Sequence, residues 1–103
     1  MIRVSVLYPT TAGARFDEEY YLGHHIPLVR DALGKACLGI SIDKGGSGAA
    51  PGSAPAFAYI AYLKFDSAAV FAEAFGPKAE AIMGDLPNFT DIEPTVQISD
   101  VLV

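Results

Sequence analysis

Phe57-Ala58-Tyr59-Ile60-Ala61-Tyr62-Leu63-Lys64-Phe65 is the stretch that decides the fold. Aromatic and branched aliphatic residues dominate it and neither Gly nor Pro interrupts it, so it reads as a strand. Alternate positions of a strand face opposite ways. Phe57, Tyr59, Ala61, Leu63 and Phe65 therefore share one side, and Ala58, Ile60 and Tyr62 share the other. Both sides are apolar, whereas an antiparallel strand with a wet face alternates more cleanly. The sheet containing it has two faces to cover.

Working outward, residues 45–55 are too rich in Gly and Pro for regular structure and form a flexible connector. Before it, Ala36 to Asp43 alternates with Leu38, Ile40 and Ile42 on one face, a second strand. Asp17 caps a helical stretch that carries Glu18 and Glu19 in its first turn and runs to Leu33, where Gly34 stops it. Pro27 removes a backbone donor and predicts a kink near Ile26. Ile2 to Tyr8 alternates and is the first strand, ended by Pro9. After the central strand, Asp66 or Ser67 caps a second helix that Gly76-Pro77 kinks or restarts and that fades at Met83-Gly84. Thr95 to Val103 is the last strand.

The order is β-α-β-β-α-β within one domain, residues 1–103. Two right-handed crossovers joined by a hairpin give an α+β, ferredoxin-like sandwich: a four-stranded antiparallel sheet with both helices on one face. Two helices cover only one face. In so short a chain the expected cover for the other is a second copy, packed as a twofold homodimer. Composition agrees: 51% of residues are hydrophobic and only 18% are charged, against about 25% charged in a typical domain. Ser5, Leu7, Ser41, Ile60, Tyr62, Gln97 and Ser99 fall on the open face. Small polar groups among aromatics predict a partly hollow interface there, able to admit a small, largely apolar ligand.

A net charge of −5 and a pI near 4.7 exclude a basic face for nucleic acid or anionic membrane. Cys37, the single cysteine, allows no internal disulfide and no Cys-x-x-Cys site, and reads as a small core residue. No stretch reaches the length of a membrane span, and Met1-Ile2-Arg3-Val4 lacks the layout of a signal peptide. A cytoplasmic protein is expected.

Chemistry concentrates in Phe16-Asp17-Glu18-Glu19-Tyr20-Tyr21-Leu22-Gly23-His24-His25-Ile26-Pro27-Leu28. On a regular helix His25 falls inside the apolar stripe of Tyr21, Leu28, Val29 and Ala32, and His24 falls near Arg30 and Asp31 on the polar side. The two imidazoles face different ways and no third ligand is near, so no metal is expected. His25 is either a structural imidazole bonded to a carbonyl freed by Pro27, or a general acid/base, for which its ordinary pKa near 6.5 suits it. Tyr20 and Tyr21 are core residues or groups that position a substrate oxygen. Asp85-Leu86-Pro87-Asn88-Phe89-Thr90-Asp91 reads as a turn, and Asp85 or Asp91 is the candidate acidic partner of His25. Lys44-Gly45-Gly46-Ser47-Gly48 joins two strands and lacks the ending of a phosphate loop, and no serine nucleophile elbow is present.

The segment Phe16…Tyr20-Tyr21…His25-Ile26-Pro27-Leu28, the start Phe65-Asp66-Ser67, the stretch Gly84-Asp85-Leu86-Pro87-Asn88-Phe89-Thr90 and the strand Pro94…Gln97-Ile98-Ser99 together resemble the EthD family, named for a protein of ethyl tert-butyl ether degradation. The resemblance spans nearly the whole chain. It implies a dimeric α/β barrel with facing sheets, and it puts His25, not His24, at the family's His-x-Pro position. Similar proteins of the wider superfamily include cofactor-free monooxygenases, polyketide cyclases, lactone isomerases and haem enzymes. Haem needs an axial ligand and a large pocket, which His25 alone does not supply, so no cofactor is expected. Two classes stay open. One is a small lyase, isomerase or cofactor-free oxygenase with His25, Tyr21 and Asp85 as its catalytic candidates. The other is a non-catalytic accessory protein that holds a small hydrophobic compound.

Overall fold

The structure, a computed structural model, describes all residues from Met1 to Val103. Strands β1 (Ile2–Pro9), β2 (Gly39–Lys44), β3 (Phe57–Phe65) and β4 (Thr95–Asp100) form one antiparallel sheet in the order β2-β3-β1-β4. The first helical stretch consists of α1 (Glu18–Tyr20), a π-turn (Tyr21–His25) and α2 (Ile26–Leu33). The second consists of α3 (Ala68–Phe75), a 3₁₀ turn (Gly76–Lys78) and α4 (Ala79–Gly84). The α+β, ferredoxin-like arrangement is the one the pattern predicts.

Local chemistry accounts for most of the boundaries. Asp17 caps α1 by accepting the Tyr20 N–H at 3.1 Å, and Ser67, not Asp66, caps α3 by accepting from Val70 at 3.2 Å. Gly34 ends α2 with φ at +58°, a conformation that a side chain would strain. Pro27 is accommodated by widening the preceding turn, in which Ile26 N–H reaches back to the Tyr21 carbonyl. In the long β2–β3 connection, a Cβ on Gly45 would collide with the Phe57 carbonyl, so the chain needs glycine there.

Two strand limits shift inward. β2 begins at Gly39 rather than Ala36, because a 3₁₀ turn over Gly34–Ala36 extends the end of α2. β4 ends at Asp100 rather than Val103. Val101 N–H adds one bond to the Met1 carbonyl, and Leu102 and Val103 project into solvent.

Register fixes the faces. Val4 lies opposite Leu63 and Ile98, and Val6 lies opposite Ala61 and Val96. This face packs on the helices: Ile2, Val4, Ala61, Leu63 and Phe65 meet Val29, Leu33 and Ile82 in one core cluster. A second cluster gathers Tyr8, Tyr21, Ile26, Tyr59, Phe89 and Ile92 at the other end. The opposite face carries Arg3, Leu7, Ile60 and Tyr62, half-buried without any helix over them. The Arg3 guanidinium sits 6.0 Å from the centre of the Tyr62 ring. No helix is long and apolar enough to cross a membrane.

Candidate functional site

The open face carries a polar hollow bordered by Arg3, Ser41, Tyr62 and Lys64, and a second, apolar cavity, which the sequence pattern does not anticipate, is on the helix side of the sheet. The apolar cavity measures about 340 Å³ and lies between β1, β3 and β4 below and α2, α3 and α4 above. Its floor is made of short side chains, Val4, Val6 and Ala61, which do not fill the space up to Ile26, Val29 and Ile82. Sequence alternation assigns side chains to a face but does not show how closely two layers meet. The mouth is bordered by Met83 and Val96, both roughly half exposed, because β4 is an edge strand that the helices overhang incompletely.

One titratable side chain other than tyrosine reaches the wall, and it is His25. It is 4% exposed, whereas His24 lies outside, stacked on Tyr20 with ring centres 4.9 Å apart. The partner of His25 is a carboxylate rather than a stranded backbone carbonyl: Nδ1 lies 2.9 Å from Asp85 Oδ2. Asp91, the other acidic candidate, is not brought to His25. It accepts the Arg15 N–H at 2.8 Å instead.

Asp85 holds a small network. Its Oδ1 accepts from the Tyr20 hydroxyl at 2.7 Å and from Asn88 Nδ2 at 2.9 Å. The turn that carries it is tied to the start of the first helical stretch. Arg15 donates to the Pro87 carbonyl at 2.6 Å, Asp17 N–H to the Phe89 carbonyl at 2.7 Å, and the Thr90 hydroxyl to the Arg15 carbonyl at 2.7 Å. Phe89, fully buried, packs on the His25 ring at 4.6 Å and anchors the turn from below.

These contacts set the protonation states. Desolvation raises the Asp85 pKa, but the hydrogen bonds from Asn88, Tyr20 and His25 outweigh it and hold the carboxyl below its ordinary range. Asp85 is therefore an acceptor only, and Nδ1 of a neutral His25 must carry the proton. Desolvation lowers the His25 pKa, and the nearby carboxylate opposes this only partly. The resting imidazole is neutral, with its lone pair on Nε2, which has no protein partner.

Of the three catalytic candidates, then, His25 and Asp85 meet directly and Tyr21 stands beside them in the cavity wall. Tyr21 is buried, its ring nearly parallel to that of His25 with centres 5.9 Å apart. Sequence reasoning gave no polar role to Asn88 beyond turn formation and left Tyr20 between core and site. Both brace the Asp85 carboxylate. The Asp85–Asn88 spacing was the available signal, since a turn whose own side chains bond each other can also hold a carboxylate toward a neighbour. Cys37 is half-buried and its thiol is pushed up by burial, in keeping with a packing role. No group of three or more His, Cys, Asp or Glu side chains is arranged to hold a metal ion.

The EthD domain model matches residues 11–93. Among solved structures, an EthD-like protein from Ralstonia eutropha JMP134 superposes with a TM-score of 0.94 at 45% identity, covering 99% of this chain and 92% of that one. An ethyl tert-butyl ether (EthD) family protein from Bacillus halodurans C-125 gives 0.69 at 16% identity, with 99% of each chain covered. An antibiotic biosynthesis monooxygenase shares the fold at a TM-score of 0.53 and 12% identity over the full length of both chains. Among curated proteins, none matches.

Proposed function

The chain belongs to the EthD family, and from that premise we propose that it binds a small, neutral, largely apolar organic compound under its helices and moves a proton on it with His25 as the base. The supporting observation is a neutral imidazole, oriented by a carboxylate, in the wall of a cavity otherwise lined by hydrophobic side chains. Asp85 fixes the tautomer, Tyr20 and Asn88 hold Asp85, and Nε2 is left to accept a proton from a ligand C–H or O–H. The imidazolium that forms is stabilised by the ionised Asp85 2.9 Å away, in surroundings that screen the pair little.

The electron pair stays on the ligand. Returning the proton to a different atom completes an isomerisation, and expelling a leaving group from the adjacent atom completes an elimination. Neither needs an oxidant. With O₂ as electron acceptor the same anion becomes the entry to cofactor-free oxygenation. Ethyl tert-butyl ether itself has no acidified C–H, so in a degradation route His25 acts on a more oxidised compound derived from such a substrate.

We also propose that the working unit is a homodimer with the open sheet faces together. Leu7, Ile60 and Tyr62 are half-buried there without a covering layer, with Arg3 and Lys64 toward one end of that face and Asp43 toward the other. Light scattering should give twice the chain mass, falling to one chain for Tyr62→Asp.

The test of the reaction is proton–deuterium exchange in enolisable ketones and lactones, followed by NMR in D₂O. Wild-type protein should accelerate exchange in at least one of them, and His25→Gln should reduce that acceleration roughly 10²- to 10⁴-fold with ligand binding retained. Binding without acceleration in wild type would replace the enzyme by a carrier protein.

A further inference from the structure

Tyr21 opens the π-turn and His25 closes it, so the turn presents both side chains to the cavity. The Tyr21 hydroxyl is the one side-chain polar atom fully shut off from solvent that has no hydrogen-bond partner, and the residue is 1% exposed. An unpaired buried hydroxyl is costly, and phenylalanine would fill nearly the same space without it. Tyr59, in the same aromatic cluster, places its own hydroxyl on Glu18 at 2.9 Å. Tyr20 likewise donates to Asp85, so two neighbouring phenols are paired and that of Tyr21 is not. The cavity wall also contains no Lys, Arg, Asp or Glu, so nothing in it compensates a charged ligand.

Resting on the reading of His25 as a base, we propose that the ligand is a neutral carbonyl compound with a C–H beside the carbonyl, whose oxygen accepts a hydrogen bond from the Tyr21 hydroxyl. In the step that follows, the C–H bond breaks and its proton goes to His25 Nε2. Its electron pair forms the enolate C=C as the carbonyl becomes C–O⁻. The Tyr21 O–H bond tightens as that charge develops. Return of the proton restores the imidazole, and nothing is oxidised or reduced. The nearly parallel Tyr21 and His25 rings, 5.9 Å apart, put donor and base on one wall, where one edge of a flat ligand spans both. Burial holds the phenol above its ordinary range, so it stays a donor at any working pH. A cavity of about 340 Å³ accommodates a one- or two-ring compound. Carboxylates and phosphates are excluded for want of a cation.

The test compares 2-tetralone with tetralin, which has the same ring skeleton and no carbonyl, by calorimetric titration of the full chain. Wild type should bind the ketone roughly three- to tenfold more tightly than the hydrocarbon. Tyr21→Phe should erase that preference, leave tetralin affinity unchanged and raise the Tm of the unliganded protein by a few degrees. His25→Gln should keep the preference while losing deuterium exchange at the ketone. An unchanged preference in Tyr21→Phe overturns the assignment of Tyr21, and the base role survives if exchange still depends on His25. Equal affinity of wild type for both compounds overturns the carbonyl assignment in the same way. Exchange that persists in His25→Gln with the preference intact overturns the base reading instead. If neither compound binds, both fall.

Discussion

Each helical stretch contains a proline, and the protein resolves the two in opposite ways. Pro27 follows a π-turn, a widened loop of helix, and Pro77 sits inside a tightened 3₁₀ turn. The π-turn buries Tyr21 and His25, and both line the cavity. The 3₁₀ turn at Gly76–Lys78 buries nothing; its three residues are all exposed. The same missing N–H therefore builds a site in one place and merely bends the chain in the other. What differs is the partner element: the turn after α4 brings Asp85 against the first stretch, and nothing polar waits for the second.

Removing the partner should separate the two regions most sharply. Asp85→Asn leaves the Tyr20 hydroxyl and the His25 ring without their ionic acceptor and no longer enforces the tautomer. Deuterium exchange should fall by at least about tenfold, and chemical denaturation should show a loss of about 1–3 kcal/mol. An unaltered exchange rate in a folded Asp85→Asn protein would reduce the dyad to a packing detail.

Acid should act through the same residues. His25 has a folded pKa below its unfolded value near 6.5, so the unfolded chain takes up that proton first as pH falls. Its share of stability is complete above about pH 6.5 and is lost as pH drops toward the folded pKa. Asp85, also lowered, adds a second loss below its unfolded pKa of about 3.9. Thermal melts across pH 4–8 should show a decline beginning near pH 6.5 in wild type and absent in His25→Gln. Exchange activity should hold at neutral pH and fall once His25 protonates, at a pH below 6.5.

The prolines themselves provide the finest comparison. Pro27→Ala restores an N–H that favours regular α-helical bonding, and should lower exchange several-fold while the melting temperature moves little. Pro77→Ala should leave exchange unchanged and alter stability by less than about 1 kcal/mol. Equal effects of the two substitutions would mean that the π-turn has no special part in placing Tyr21 and His25.

Much of this was legible in the chain. Period-two alternation in Ile2–Tyr8 and Phe57–Phe65 fixed which residues face the helices, because a strand allows only two directions for a side chain. Asp17, Gly34 and Gly76-Pro77 marked helix limits through backbone chemistry that acts within a few residues. The apolar stripe picked His25 over His24 for the same local reason. The apolar cavity under the helices was not legible, since it depends on how far Val4, Val6 and Ala61 fall short of α2 and α4, a distance between layers. Nor was the choice of Asp85 over Asp91 as the imidazole's partner, residues six apart in one turn and 60 or more from His25. That choice was made by the docking of the 85–91 turn onto Arg15, Asp17 and Phe16, which aims one carboxylate inward at His25 and leaves the other to cap a backbone N–H. Sequence determined the elements and their faces through short-range geometry. Only the packing of one element on another decided where the space is and which groups meet in its wall.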